Sequence, residues 1–416
     1  MTAAPPPARF ADVRTQLFVL ALANFAIGFG AFVVVAILPA LAAGLGVSDA
    51  GAGLTMTSYA IAYGIGSPLG VALTSRFERR NVIVCGLAVF GVGALLCALA
   101  PSLSMLLIAR ALAAIGAGVV TPVAASVAIA LVSEQERGRA LAFVFGGLTL
   151  SQAIGMPIGA WLGYSVGWRE TFALAGLLAF PAAIVLFRQL PTGLVVPVTN
   201  LRSLVDACTR PKLLAAIAFT VFFMGGVWTL YTFFAPVLTV SFGLDGTGVS
   251  ALLLVFGIGA VLGNVLGGRL TDSLGPDRTL ACLCLGQAIS MPLFTVGIFS
   301  GTAAGATEII AAGALTLGWS IVGWSFMVPQ QARLAALDPA LAPVLLALNA
   351  AAIYLAAALG SANGGYVLDA LGMVALGPVS VVLIIAALVS IPVTRRLRAA
   401  PAADGLDPAD VERTES

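Results

Sequence analysis

Leu17-Phe-Val-Leu-Ala-Leu-Ala-Asn24-Phe-Ala-Ile-Gly28-Phe-Gly30-Ala-Phe32-Val-Val-Val35 is the stretch whose reading settles the architecture. It lies within a run, 15–48, that carries no charge. A helix needs roughly 20 apolar residues to cross the hydrocarbon of a bilayer. Backbone amides in lipid must be satisfied internally, which leaves helices or closed barrels. A barrel strand would alternate polar and apolar residues, and 17–35 does not. The stretch reads as a transmembrane helix.

Eleven further charge-free runs follow, at 50–75, 81–109, 111–133, 140–168, 171–187, 213–244, 246–268, 279–307, 309–332, 339–368 and 370–394. The shortest has 17 residues, so each can hold one crossing and twelve transmembrane helices are expected. Composition agrees. The 416 residues are 60% hydrophobic and 9% charged, where soluble chains run near a quarter charged. The 47 glycines suit helices that pack inside lipid. A net charge of +2 offers no basic stripe for phosphates, so a nucleic-acid partner is excluded. The partners expected are the lipid bilayer and a small solute.

Orientation follows from the arginines. With a cytoplasmic amino terminus, only Arg169 among the 20 basic residues falls outside, and Arg110 lies within a span. The positive-inside rule therefore puts both termini in the cytoplasm. Residues 1–14, with Pro5-Pro6-Pro7, read as a short disordered arm rather than a signal peptide. The acidic tail 399–416 reads as disordered too. Cys85, Cys97, Cys282 and Cys284 sit in apolar spans and Cys208 in a connector, an odd set that argues for packing rather than disulfides.

The longest interruption separates six spans from six. The domains expected are 15–190 and 213–398, joined by a cytoplasmic loop at 191–212. The halves share short patterns. Gly70-Val-Ala-Leu73-Thr-Ser75-Arg76 follows span 2, and Gly267-Gly268-Arg269-Leu270-Thr271-Asp272 follows span 8. Setting Leu73 on Leu270 also aligns Gly66 with Gly263. Span 5 carries Gly155-Met-Pro157-Ile-Gly159 and span 11 carries Gly360-Ser-Ala-Asn-Gly364. Such small-xxx-small pairs let helix backbones approach closely. Two related bundles with a site near the midplane between them are a transporter plan.

These residues resemble the major facilitator superfamily over nearly the whole chain. The loop after span 2 is similar to its G-x-L-x-D-R-x-G-R-R signature, kept at Leu73, Arg76, Arg79 and Arg80, with Ser75 in place of the acid and Glu78 in place of the glycine. The second copy keeps Gly268, Leu270, Asp272 and Gly275. In span 4, Arg110-Ala-Leu-Ala-Ala-Ile-Gly116-Ala-Gly118 resembles the R-x-x-Q-G-x-G-x-G element. In span 5, Gly146 with Gly155, Pro157 and Gly159 resembles the antiporter signature. Leu38-Pro39, Tyr59-Ala-Ile-Ala-Tyr63, Ser67-Pro68 and Arg137-Gly138-Arg139-Ala140 are similar to the drug:proton antiporter branch, especially bacterial efflux permeases for arabinose, chloramphenicol and purine nucleosides. The implied fold is an all-α membrane protein, twelve transmembrane helices in two pseudo-symmetric six-helix bundles. The implied setting is a bacterial inner membrane.

Arg110 is the leading functional candidate, because an intramembrane arginine is costly and a functional role is its default. The resemblance implies a part in proton-coupled conformational change; the alternative is that Arg110 snorkels outward and packs. The acid that related permeases carry near Phe32 is missing, and so is every histidine. Glu308, at the outer start of span 10, is the remaining candidate protonation site, with an interfacial carboxylate facing water as the alternative. Candidate cavity residues are Asn24, Tyr59, Tyr63, Gln152, Trp228, Tyr231, Trp319 and Asn349, with Trp324 and Tyr354 nearby in sequence. The resemblance places helices 1, 4, 7 and 10 around the cavity. Such a lining suits an uncharged or aromatic solute, although belt or packing duty is the ordinary role of Trp and Tyr in membranes. Candidate gate residues are Arg76, Arg79, Arg80 and Asp272, with Gly155, Pro157 and Gly159 bending and packing span 5.

The expected function is a secondary exporter of a small organic solute, working as a monomer by alternating access in exchange for protons. No cofactor or metal is expected; the proton gradient is the energy source. An uptake symporter or uncoupled facilitator on the same fold is the alternative. A membrane enzyme or sensor is remote, since no span holds a carboxylate pair or nucleophile cluster.

Overall fold

The structure is a computed structural model that describes residues 10, 12–194, 209–296, 306–338 and 341–399. Most of the amino-terminal arm, 195–208 of the connector with Cys208, and the tail beyond 399 lie outside the described residues.

Among the described residues twelve helical spans follow one another. The first half comprises α1 (Arg14–Leu45), α2 (Asp49–Leu73), α3 (Arg79–Ala98), α4 (Leu103–Leu131), α5 (Arg137–Leu150, then Met156–Ser165) and α6 (Trp168–Gln189). The second comprises α7 (Pro211–Tyr231, then Phe234–Phe242), α8 (Gly246–Leu274), α9 (Pro276–Val296), α10 (Ala306–Trp324, then Met327–Leu337), α11 (Ala342–Leu371) and α12 (Leu376–Ala399). Among the described residues, eleven are long and apolar enough to cross a membrane. The twelfth, α2, is diluted by Thr55, Thr57, Ser58, Tyr59, Tyr63 and Ser67. Twelve crossings return the chain to the face it started from.

Local chemistry sets several boundaries. Ser48, Ser102 and Asp245 accept from the backbone N–H three residues on and so cap α2, α4 and α8. Gly46, at φ +65°, ends α1 in the left-handed conformation that favours glycine. Pro157 can give no N–H to the preceding turn, and its ring crowds the carbonyl of Ala153. The backbone answers with one wide π turn over Ser151–Gly155, which divides α5.

Packing repeats at an offset of six helices. In the first half α1 packs on α5 and α6, α2 on α4, and α3 on α4 and α6. In the second, α7 packs on α11 and α12, α8 on α10, and α9 on α10 and α12. The contacts between halves obey the same rule, α2 on α11 and α8 on α5. The glycine pairs explain how close these helices come. Gly159 and Gly163 admit Val33 and Ile37 of α1, while Gly360 and Gly364 lie against the backbone of α7 at Gly225 and Thr229. The architecture is two pseudo-symmetric six-helix bundles.

The halves touch unevenly. Toward the face opposite the chain ends, Ser361 donates to the Gly53 carbonyl at 2.9 Å and Ser250 to the Pro157 carbonyl at 2.7 Å. At middle depth Tyr63 stacks on Tyr354 at 3.6 Å, Phe32 on Trp228 at 5.9 Å, and Trp324 Nε1 donates to Gln152 Oε1 at 3.1 Å. On the face bearing the chain ends, the ion pairs among described residues all stay within one half: Arg80–Glu78, Arg137–Glu134, Arg210–Asp338, Arg333–Asp277 and Arg395–Asp277. The two bundles are joined from the middle outward on one side, and among the described residues the salt bridges on the other side do not cross between them.

Candidate functional site

The inner levels of α1 and α7 are buried nearly all round, over 26–38 and 224–238. Two hubs hold them. In the first half the hub is Arg110, 1% exposed, on α4. Its Nη1 and Nη2 donate to the carbonyls of Gly30 (2.6 Å) and Ala31 (3.0 Å) on α1, and its Nε to that of Thr55 on α2 (3.2 Å). The guanidinium carbon lies 4.2 Å from the Tyr59 ring centroid and 5.8 Å from that of Phe172 on α6. Among the described residues no carboxylate lies at ion-pair distance from it. Arg110 does not snorkel. A helix carbonyl has a second lone pair to offer, and three of them with two aromatic faces stand in for a counter-ion.

In the second half the hub is aromatic. Trp319 on α10, also 1% exposed, packs against Tyr231 (6.0 Å) and Phe234 (5.7 Å) of α7, Phe256 (5.4 Å) of α8 and Phe294 (5.8 Å) of α9. Tyr231 extends the cluster to Trp228 at 5.1 Å and Trp324 at 5.5 Å. Its hydroxyl reaches across the seam to Met156 Sδ at 3.1 Å. The indole N–H groups of Trp228 and Trp319 and the hydroxyl of Tyr59 are buried without a partner among the described residues.

Of the predicted cavity residues, the structure brings Tyr63, Gln152, Trp228 and Tyr231 to the seam between halves. Tyr59 and Trp319 belong to the hubs. Asn24 and Asn349 are held inside their own halves. Asn24 Nδ2 donates to the Val144 carbonyl of α5 at 3.2 Å. Asn349 accepts from Thr220 at 2.5 Å, and Gln330 Nε2 donates to Thr220 at 3.0 Å and to the Ala216 carbonyl at 2.8 Å, a buried network joining α7, α10 and α11. Glu308 is exposed in the first turn of α10, away from Arg110.

Among the described residues, the charged gate candidates Arg76, Arg79, Arg80 and Asp272 do not join the halves in this conformation, whereas Pro157 does. Arg76 and Asp272 are exposed. Arg79 bonds the Ser75 carbonyl at 3.2 Å, and Arg80 pairs with Glu78 at 3.9 Å under the ring of Phe187. Gly155 and Gly159 face α1, and the Pro157 carbonyl accepts from Ser250. A cavity of about 340 Å³ lies within the first half between α2, α3 and α4, lined by Thr74, Asn81, Cys85, Ile115 and Val119, away from the seam. No cluster of His, Cys, Asp or Glu that could hold a metal occurs among the described residues.

Sequence reasoning missed Thr220, Gln330, Phe256, Phe294 and the pair Asp277–Arg333. Asp277 was within reach: the alignment of Leu73 on Leu270 also sets it opposite Arg80, with the charge reversed.

The family profile described as Major Facilitator Superfamily matches residues 20–340. The inner membrane transport protein YdhP of Escherichia coli (strain K12) is 30% identical over 360 residues, covering 86% of this chain and 90% of that one. A chloramphenicol resistance protein of Streptomyces lividans is 31% identical over 285 residues, 68% of this chain and 71% of its own. Among solved structures, a bacterial homolog of the human lysosomal transporter Spinster, inward-facing and occupied, superposes with a TM-score of 0.74 at 17% identity, covering 94% of this chain and 99% of that one. A D-xylose-proton symporter gives 0.72 at 17% identity, covering 91% and 97%. These two likenesses speak to fold.

Proposed function

This chain belongs to the major facilitator superfamily, and on that premise we propose that it exports a small organic solute across a bacterial cytoplasmic membrane by alternating access, in exchange for protons. It works as a monomer, since one chain contains both halves, with both termini in the cytoplasm and no cofactor or metal. The observation that carries this reading is the seam: two symmetry-related bundles joined on one side of mid-depth, with the salt bridges on the other side, among the described residues, each confined to one half. Rocking about such a contact exposes a midplane site to one face at a time. Export is favoured by the small-residue face of α5 packed on α1, and by relatives named as a chloramphenicol resistance protein and a probable sugar efflux transporter. The aromatic cluster around Tyr231 suits an uncharged or aromatic solute. Arg110 ties α4 to α1 and α2, so a change in any one of them is passed to the others.

One observation favours a second reading. Arg110 is served by backbone carbonyls and has no carboxylate at ion-pair distance among the described residues, an arrangement that suits an uncoupled facilitator or a symporter equally well. Everted membrane vesicles separate the readings, with chloramphenicol and a panel of sugars as probes. Export in exchange for protons gives uphill uptake into the vesicles that stops when the proton gradient is collapsed. Uphill uptake that survives the collapse sinks the coupling, and downhill equilibration alone selects the facilitator.

A further inference from the structure

We infer that the face on which the chain begins and ends carries an anion site, built on Arg333 and Arg395, that holds the phosphate of an acidic phospholipid. The two arginines share one carboxylate. Arg333 Nε lies 3.0 Å from Asp277 Oδ1, and Arg395 Nε donates to Oδ2 at 2.7 Å. Among the described residues Asp277 Oδ1 receives no aligned N–H, so the contact with Arg333 is an ion pair and not a hydrogen bond. The cluster therefore keeps, among the described residues, one positive charge in excess. Its counterpart in the first half, Arg80 with Glu78, is balanced one to one.

Arg333 is 6% exposed, and its Nη1 and Nη2 are buried without an acceptor among the described residues. The ring of Phe219, 5.7 Å away, attracts the charge through its face but offers no oxygen. Guanidinium forks of this kind match phosphate oxygens in pairs. Arg395 is the approach to the cluster, with 58% of its side chain exposed.

The surroundings favour a lipid as the source of that phosphate. Arg278 and Arg396, next in the chain to Asp277 and Arg395, are both exposed. From Arg396 the exposed face of α12 continues through Val393, Val389, Ile385 and Val382, a spacing of three and four residues that keeps them in one row. The exposed face of α9 offers Leu285, Ile289 and Leu293. Charged donors at the helix ends with aliphatic rows leading away from them match a head group and its chains. The inference does not depend on what is transported.

Native mass spectrometry of the full-length protein tests it, with phosphatidylglycerol and phosphatidylcholine offered together. Retention of phosphatidylglycerol is expected to exceed that of phosphatidylcholine by about fivefold or more. Arg333→Gln and Arg395→Gln should each cut that preference about threefold, while Arg137→Gln, at an exposed arginine of the other half, leaves it in place. Arg395 is exposed, so its variant carries the test if Arg333→Gln fails to fold. Equal retention of both lipids, or an unchanged preference in Arg395→Gln, overturns the site. A second arm adds inorganic phosphate without lipid: a raised melting temperature there, with no lipid preference, assigns the site to the free anion and overturns the lipid source.

Discussion

Arg110 on α4 and Trp319 on α10 occupy corresponding helices of the two halves and do the same architectural job by opposite means. Arg110 gathers α1 and α2 around α4, and Trp319 gathers α7 and α8 around α10. The guanidinium works by direction, since each N–H must find one carbonyl. The indole works by filling space among rings, which tolerates small shifts but not loss of volume. One repeated backbone plan thus accepts a polar or an apolar hub. The polar hub is the more directional of the two, since hydrogen bonds weaken steeply as donor and acceptor fall out of line.

Substitutions that keep one property and remove another test this contrast. The largest loss is expected from Trp319→Ala, about 4 kcal/mol of stability from the cavity left among four rings. Thermal unfolding in detergent measures it; a loss under about 1 kcal/mol would mean the cluster collapses freely and is no hub. Trp319→Phe should recover most of that loss. Arg110→Lys is expected to cost about 2 kcal/mol, because an ammonium retains the charge but not the fork that reaches three carbonyls. Transport should fall about tenfold or more with it, and near-normal export by the lysine variant would show that charge alone suffices. The smallest effect belongs to the seam. A Cβ at Gly257 of α8 would stand 2.5 Å from Ala153 Cα of α5. Gly257→Val should therefore cost about 1 kcal/mol and part the halves at that level. Spin labels on α5 and α8 would report a longer distance; an unchanged distribution would mean that the seam is looser than it looks.

Much of the fold was legible in the order of residues. Twelve charge-free runs announced twelve spans, and the glycines at 155, 159, 360 and 364 announced close helix contacts. The hubs were half legible. Arg110 stood out because charge is rare in the spans, but nothing in the sequence said that its partners would be the carbonyls of Gly30, Ala31 and Thr55, since a backbone carbonyl leaves no mark on composition. Trp319 was one candidate among many aromatics. The network of Thr220, Gln330 and Asn349 escaped notice because its members lie on three helices more than a hundred residues apart in two of the three pairings. Asp277 escaped because a charge at a helix end is ordinary until a second and a third charge are placed beside it.

What the sequence determined by itself is the medium and the topology. Hydropathy is a property of each run alone, and lipid allows an uncharged run few ways to satisfy its backbone. What only the tertiary structure decided is which groups meet. The burial of Arg110 among backbone carbonyls, the sharing of Asp277 by two arginines, and the junction of the halves on one side of mid-depth all depend on helices distant in the chain arriving at the same place. Solvation acts locally along the chain; pairing acts between helices, over distances that the order of residues does not encode.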